Sequence, residues 1–281
     1  MILVTAATAP VGRSIVEQLV AAGEPVRALT RDVDNANLPP GAEAVAGDLA
    51  DAAGMRKAME GVSAVFLLAV VPGFAPAFLS AARDAGVRRI VFQSSGAIDD
   101  GLAQQTNQVA SFHADLEKEI RDSGLGWTFL RLELASANSI QWALDVPGQL
   151  KAGDVVRAPY GEAQCSPIHE ADMAAVAVAA LTSDAHEGAV YSMTGPESLT
   201  HREQIWLIGD AAGRSLRFEE ITPDEARAVM GPFTPADVLF ADWATHVGTP
   251  APISDTVEKV AARPGLGFAR WAADHAAEFK N

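Results

Sequence analysis

Met-Ile-Leu-Val-Thr-Ala-Ala-Thr-Ala-Pro-Val-Gly, residues Met1–Gly12, decides how the rest of the chain is read. Met1–Thr5 is continuously apolar up to a threonine, the pattern of a strand buried on both faces rather than on one. A short turn of small residues follows. Pro10 then stands where a helix begins and loses nothing by lacking an N–H. The helical spacing runs from Pro10 to Ala22 and stops at Gly23. Strand, tight turn and helix in that order are the first half of a βαβ unit.

Outward from this stretch the same rhythm repeats. Strands are expected at Pro25–Thr30, Glu43–Ala46, Ala64–Ala69, Arg89–Gln93 and Gly126–Leu130. Helices are expected at Ala50–Met59, capped by Asp48 or Asp51, at Ala75–Ala85 and at Ser111–Ser123. Six apolar strands alternating with helices predict an α/β fold, a doubly wound parallel sheet of the Rossmann type, with its ligand outside the carboxyl ends of the strands. Past Glu133 the rhythm breaks. Helices are expected at Ala171–Leu181, His201–Ala212, Pro223–Met230 and Phe268–Phe279, with a strand at Ala189–Thr194. The division expected is 1–132 as the dinucleotide-binding domain and 133–281 as a smaller α/β cap that depends on it and covers the carboxyl edge of its sheet.

Composition narrows the function classes. The 281 residues carry 21 Lys plus Arg against 36 Asp plus Glu, a net charge of −15. Such a surface is unsuited to coating nucleic acid, whose affinity comes from neutralised phosphates. It leaves room for one anionic cofactor, because a phosphate pocket is built locally from backbone amides and a single Arg. One cysteine, Cys165, excludes a disulfide framework or a multi-cysteine metal site within the chain and makes the reducing cytoplasm the default compartment. The amino terminus lacks the pattern of a secretory signal, and no apolar run approaches the length of a membrane span. A soluble, unprocessed protein is the expectation.

The turn Thr5–Gly12 sits where a dinucleotide pyrophosphate meets helix-terminal N–H groups. Alanines stand at 6 and 9, where a dinucleotide loop has glycines; only Gly12, which permits close packing of helix on strand, remains. A methyl at 6 or 9 costs on the order of 1 kcal/mol if the backbone requires positive φ, and little otherwise. An acidic residue at the end of the second strand would select NAD through its ribose 2′-OH. Here Arg31 stands there, suited to a 2′-phosphate, with Asp32 one place further on. NADP(H) is therefore expected ahead of NAD(H), which remains possible.

Several motifs in a fixed order carry a resemblance: the turn itself, ALTRD at Ala28–Asp32, GDL at Gly47–Leu49, VFQSSGA at Val91–Ala97, HADLEKEIRDSGLGWTFLR at His113–Arg131, SPIHEAD at Ser166–Asp172 and FARWAADHAAEF at Phe268–Phe279. Together they resemble the NmrA-like group of atypical short-chain dehydrogenases, over nearly the whole chain. The resemblance implies NAD(P) binding, with Thr8, Pro10 and Val11 against the pyrophosphate, Asp48 and Leu49 beside the adenine, Ala69 and Val70 along the ribose side and Ser94 near the nicotinamide ribose. The group includes quinone reductases, reductases of aromatic natural products and regulators that bind a dinucleotide without turning it over.

Ordinary short-chain dehydrogenases use a Tyr-x-x-x-Lys pair. Neither Tyr160 nor Tyr191 has a lysine four residues on, and the matching stretch places His113 and Glu117 there. Spacing of four puts both on one helical face, as proton shuttle and partner, or as groups that only position the ribose. Without the tyrosine the expectation turns to quinone-like acceptors, whose reduction yields an aromatic product and demands less of a protein acid. Phe74, Trp142 and Phe233 are the expected walls of an aromatic substrate site. Cys165 reads as a packed thiol. Asp172 reads as a helix cap rather than, with His169 and Glu170, a metal ligand. The function expected is an NAD(P)H-dependent reductase of a small aromatic or quinone-like molecule in natural-product metabolism. The alternative is a dinucleotide-sensing regulator or partner-binding protein.

Overall fold

The computed structural model describes residues 1–69, 71–133, 144–230 and 236–280. They form two compact units. The first takes in Met1–Leu132, Glu170–Met193 and Lys259–Ala262; the second takes in Glu133–His169, Thr194–Glu258 and Arg263–Asn281.

In the first unit β1 (Ile2–Val4) leads into α1 (Pro10–Ala21), then β2 (Val26–Thr30), β3 (Glu43–Ala46), α2 (Ala52–Ala58), β4 (Ala64–Leu67), α3 (Ala75–Asp84), β5 (Arg89–Ser95), α4 (Gln108–Asp122) and β6 (Gly126–Leu132). After an excursion the chain returns as α5 (Glu170–Thr182) and β7 (Val190–Met193). The strands lie in the order β3-β2-β1-β4-β5-β6-β7, all parallel. Ile2 of β1 pairs with Val26 on one side and Ala64 on the other, so the order reverses at β1. That reversal opens the crevice in which such sheets take their ligands. The doubly wound sheet is as expected, with one strand more than the six read before residue 133. The division also differs: residues 170–193, assigned above to the cap, belong to the sheet unit, because Phe129–Leu132 of β6 pairs with Val190–Met193.

The apolar strands form the core they announced. Leu3, Val65, Leu67, Ile90, Phe92 and Phe129 are buried together with Phe78 of α3 and Ile120 of α4. Asp51 caps α2, its Oδ1 accepting from Ala53 N at 3.0 Å, while Asp48 closes the preceding turn on Ala50 N at 2.9 Å. Asn107 caps α4 by accepting from Ala110 N, so the helix begins at Gln108, three residues ahead of the expected Ser111. Asp172 is not a cap. It is the third residue of α5 and fully buried.

In the second unit the strand Val155–Ala158 runs parallel to Arg217–Glu220, and Gln164–Cys165 pairs antiparallel with Leu199–Thr200. Trp271, Phe268, Phe279, Trp243 and Ile208 form its core. The helix His201–Ala212 begins at a capping box of Thr200 and Glu203. Its first residue, His201, is fully buried edge-on to Trp243 with centroids 4.6 Å apart. Burial pulls its pKa down to about 4, against the opposing pull of the Pro159 and Tyr160 carbonyls. An unfolded imidazole titrates near ~6.5, so between there and about 4 the unfolded chain takes up a proton that the fold refuses. Stability therefore falls as pH drops through this window, by about 3 kcal/mol in all, and this contribution is flat below it. Urea midpoints measured across the window check this: His201→Gln is expected to flatten the acid slope, and an unchanged slope refutes the assignment.

Candidate active site

The β1–α1 turn is pinned at the reversal point. Thr5 Oγ1 accepts from Leu68 N at 2.9 Å, joining the end of β1 to the end of β4. Ala6 has φ +49°, the left-handed region, so the glycine-like turn persists with a methyl in place, at a cost of about 1 kcal/mol. Ala9 has φ −72°, which an alanine adopts freely. The two substitutions thus differ: one strains the backbone and the other does not. Ala9 is also the N-cap of α1, and its side chain accepts nothing from the helix's first amides. Gly12 has no room for a side chain: a Cβ there would stand 2.2 Å from the Ala6 carbonyl oxygen. Thr8 and Pro10 lie exposed on the rim of the turn, and Val11 is buried beneath it.

At the end of β2, Arg31 is exposed and makes no ion pair among the described residues. Asp32 is turned away from competition, since its carboxylate accepts from Asn35 N and Nδ2 at 3.2 and 2.7 Å. Those bonds hold its pKa below the ordinary carboxylate range. Asp48 is exposed beyond β3, Leu49 packs half-buried against the core, and Ala69 is buried beyond β4. Val70 lies outside the described residues, as do Trp142 and Phe233. An uncapped helix start, a glycine packed against the turn and an exposed arginine at the end of β2, without an ion pair among the described residues, fit a dinucleotide phosphate.

The expected pairing of His113 with Glu117 is replaced by a different one. Glu117 is wholly buried and accepts from Ser94 Oγ at 2.6 Å, Arg131 Nε and Nη2 at 3.0 and 2.9 Å, and Arg121 Nη2 at 3.0 Å. Arg131 reaches past it to Asp100 with two bonds of 2.7 and 2.8 Å. These carboxylates hold the Arg131 pKa above its ordinary value. Ser94 is buried with its hydroxyl turned onto Glu117, so the structure gives it a partner other than the expected ribose. Sequence reading missed Arg131, whose signal was a charged residue inside the apolar strand β6.

His113 Nδ1 lies 2.9 Å from the Val109 carbonyl oxygen. A carbonyl only accepts, so Nδ1 carries a proton, and in the neutral ring Nε2 keeps its lone pair. The ring stacks on Phe92 and meets the edge of Phe112, with centroids 5.9 and 5.0 Å away. Burial lowers its pKa more than the Val109 carbonyl and the charge of Glu117 raise it. It is neutral at pH 7.

Phe74, an expected substrate wall, is buried at the start of α3 with its ring against Phe78, beside a hollow of about 130 Å³. A larger cleft of about 420 Å³ lies in the second unit, where Thr194, Ser254, Asp255 and Glu258 line it and, among the described residues, no aromatic ring does. Cys165 is a packed thiol, with burial raising its pKa to about 12. His169 Nε2 lies 3.4 Å from Asp274 Oδ2. No described helix is long and apolar enough to cross a membrane.

A parallel sheet reversing at β1, with this turn at the crevice, is the architecture of a dinucleotide-binding protein. Residues 6–184 match the NAD(P)H-binding family, and the chain belongs to it. It is 39% identical to the (4-alkanoyl-5-oxo-2,5-dihydrofuran-3-yl)methyl phosphate reductase of Streptomyces griseus, over 99% of both chains. It is 33% identical to the NAD(P)H azoreductase of Xenophilus azovorans, again over 99% of both. The fold superposes on the NADPH-dependent quinone oxidoreductase of Escherichia coli complexed with NADPH with a TM-score of 0.75, at 23% identity over 98% of this chain and 99% of that one. The chain is an NAD(P)H-dependent reductase.

Proposed function

We propose that this reductase passes a hydride from NADPH to a small conjugated acceptor, a quinone or a molecule of similar electron demand, and that within its family it stands with the NmrA-like group. The observation that carries the reading is the state of the Tyr-x-x-x-Lys positions. His113 is neutral with its proton committed to Val109, and Glu117 is committed to Arg131, Arg121 and Ser94. Neither is placed to give a proton to a developing alkoxide at neutral pH. An acceptor that spreads the arriving charge over a conjugated system needs less such help, whereas a simple ketone needs more.

Bound NADPH supplies the hydride. Gly12 and the first amides of α1 take the pyrophosphate, and Arg31 takes the 2′-phosphate with Asp32 withdrawn onto Asn35. His113 offers Nε2 as an acceptor that orients a ribose or substrate hydroxyl rather than as an acid. The named relatives support the class of acceptor, since an azo compound and an oxo-dihydrofuran are both conjugated. With a buried single thiol and an acidic surface, we place the protein in the cytoplasm, with no nucleic-acid partner.

The test is the loss of NADPH absorbance with a panel of benzoquinone, naphthoquinone, an azo dye, an alkanoyl-dihydrofuranone phosphate and a simple aliphatic ketone. Turnover of conjugated members and none of the ketone is the expected result. Saturable NADPH binding with no turnover on any member favours the dinucleotide-sensing role instead.

A further inference from the structure

We propose that Arg13 is a positioning residue for dinucleotide choice: its guanidinium clasps the segment after β2 so that Arg31 is presented to the 2′-phosphate. The proposal rests on the reading of Arg31 given above. Arg13 is the residue after Gly12, in the first turn of α1. Its Nη2 donates to the Ala36 carbonyl at 2.9 Å and its Nη1 to the Asn37 carbonyl at 2.6 Å.

Three observations make this clasp more than a surface contact. The other side-chain hydrogen bonds of residues 31–37 are local: Asp32 N to Thr30 Oγ1 at 3.2 Å, and the bonds of Asp32 with Asn35. Arg31 to Asn35 are all exposed, so no burial of their side chains holds the segment in place. The far end is fixed instead: the side chain of Ala36 is buried and Asn37 sits at φ +46°, a conformation that presents both carbonyls to one guanidinium. The clasp therefore joins the pyrophosphate helix to the segment that carries the 2′-phosphate arginine. It also keeps two cations at this corner of a chain of net charge −15, and neither is in an ion pair among the described residues.

Two carbonyls held by one planar fork is a task for arginine. A lysine brings the charge but not the two-point geometry. Local tethers of this kind set the opening free energy of a segment without governing global unfolding.

The experiment compares Arg13→Ala, Arg13→Lys and Arg31→Ala with the unaltered protein. It measures dissociation constants for NADPH and NADH by fluorescence titration without any acceptor, and hydrogen exchange of the 33–37 amides in the ligand-free protein. Arg13→Ala is expected to weaken NADPH about tenfold and NADH by less than about threefold, with exchange at 33–37 at least about tenfold faster. Arg13→Lys is expected to behave as Arg13→Ala in both readouts, and Arg31→Ala to lose NADPH preference with exchange at 36 and 37 unchanged. Equal weakening of both cofactors, unchanged exchange, or recovery of selectivity by Arg13→Lys overturns the proposal while leaving the Arg31 reading intact. Unaltered protein that binds NADH as tightly as NADPH removes that reading, and the proposal with it.

Discussion

Glu117→Ala is expected to cost about 3–5 kcal/mol of folding stability and to lower the melting temperature by on the order of 10 °C. The size comes from what is left behind rather than from what is removed. Glu117 is wholly buried and is met by two guanidinium groups and a hydroxyl. Its removal strands Arg131 with one partner, Asp100, which is itself exposed, and leaves the Ser94 hydroxyl buried without its acceptor. A buried cation that loses its partner incurs most of its desolvation cost. Replacing both ends, Glu117→Leu with Arg131→Leu, leaves no buried charge and is expected to return more than half of the loss. Thermal melts of the two variants decide it: a double variant no more stable than Glu117→Ala refutes the electrostatic account.

Gly12→Ala is expected to weaken NADPH binding about a hundredfold. The added carbon would meet the Ala6 carbonyl oxygen at 2.2 Å, its carbon at 2.9 Å and Ala7 Cα at 3.1 Å, all of them backbone. The turn must therefore move by about an ångström, which is enough to spoil a phosphate cradle. Folding stability should fall less, by about 1–3 kcal/mol, because the strain is local. Titration with NADPH alongside a urea melt separates the two. Binding unchanged in a folded variant means that the turn does not hold the pyrophosphate.

The sheet was legible because its central strands are buried on both faces and read as unbroken apolar runs between glycine stops. Ala189–Thr194 was also visible as a strand, but not its place at the edge of that sheet, since sheet membership is a matter of register with β6 and leaves no local pattern. Arg217–Glu220, with three charged residues of four, carried no strand signal at all; its pairing with Val155–Ala158 is what makes it one. At the site, the turn and Arg31 were read from position alone; the structure places the turn at the reversal of the sheet and Arg31 exposed at the end of β2. The spacing of His113 and Glu117 correctly put both on α4 but could not show that Glu117 would be claimed from 14 residues away by Arg131. A helical spacing of four makes contact available; which partner takes it depends on charges brought in by other strands.

The last strand of the sheet has a consequence for how the protein is made. β7 ends at Met193, whereas β6, the strand it pairs with, ends at Leu132, so the nascent sheet has an open edge while the ribosome adds the intervening stretch. At ~5–20 residues per second that interval lasts on the order of 3–12 s. During it the outer side of β6 presents unpaired backbone groups to the crowded exit of the ribosome. β1 shares this delay, since its second neighbour, β4, ends only at Leu67, so these two strands are the ones for which slow translation or an idle chaperone would matter most.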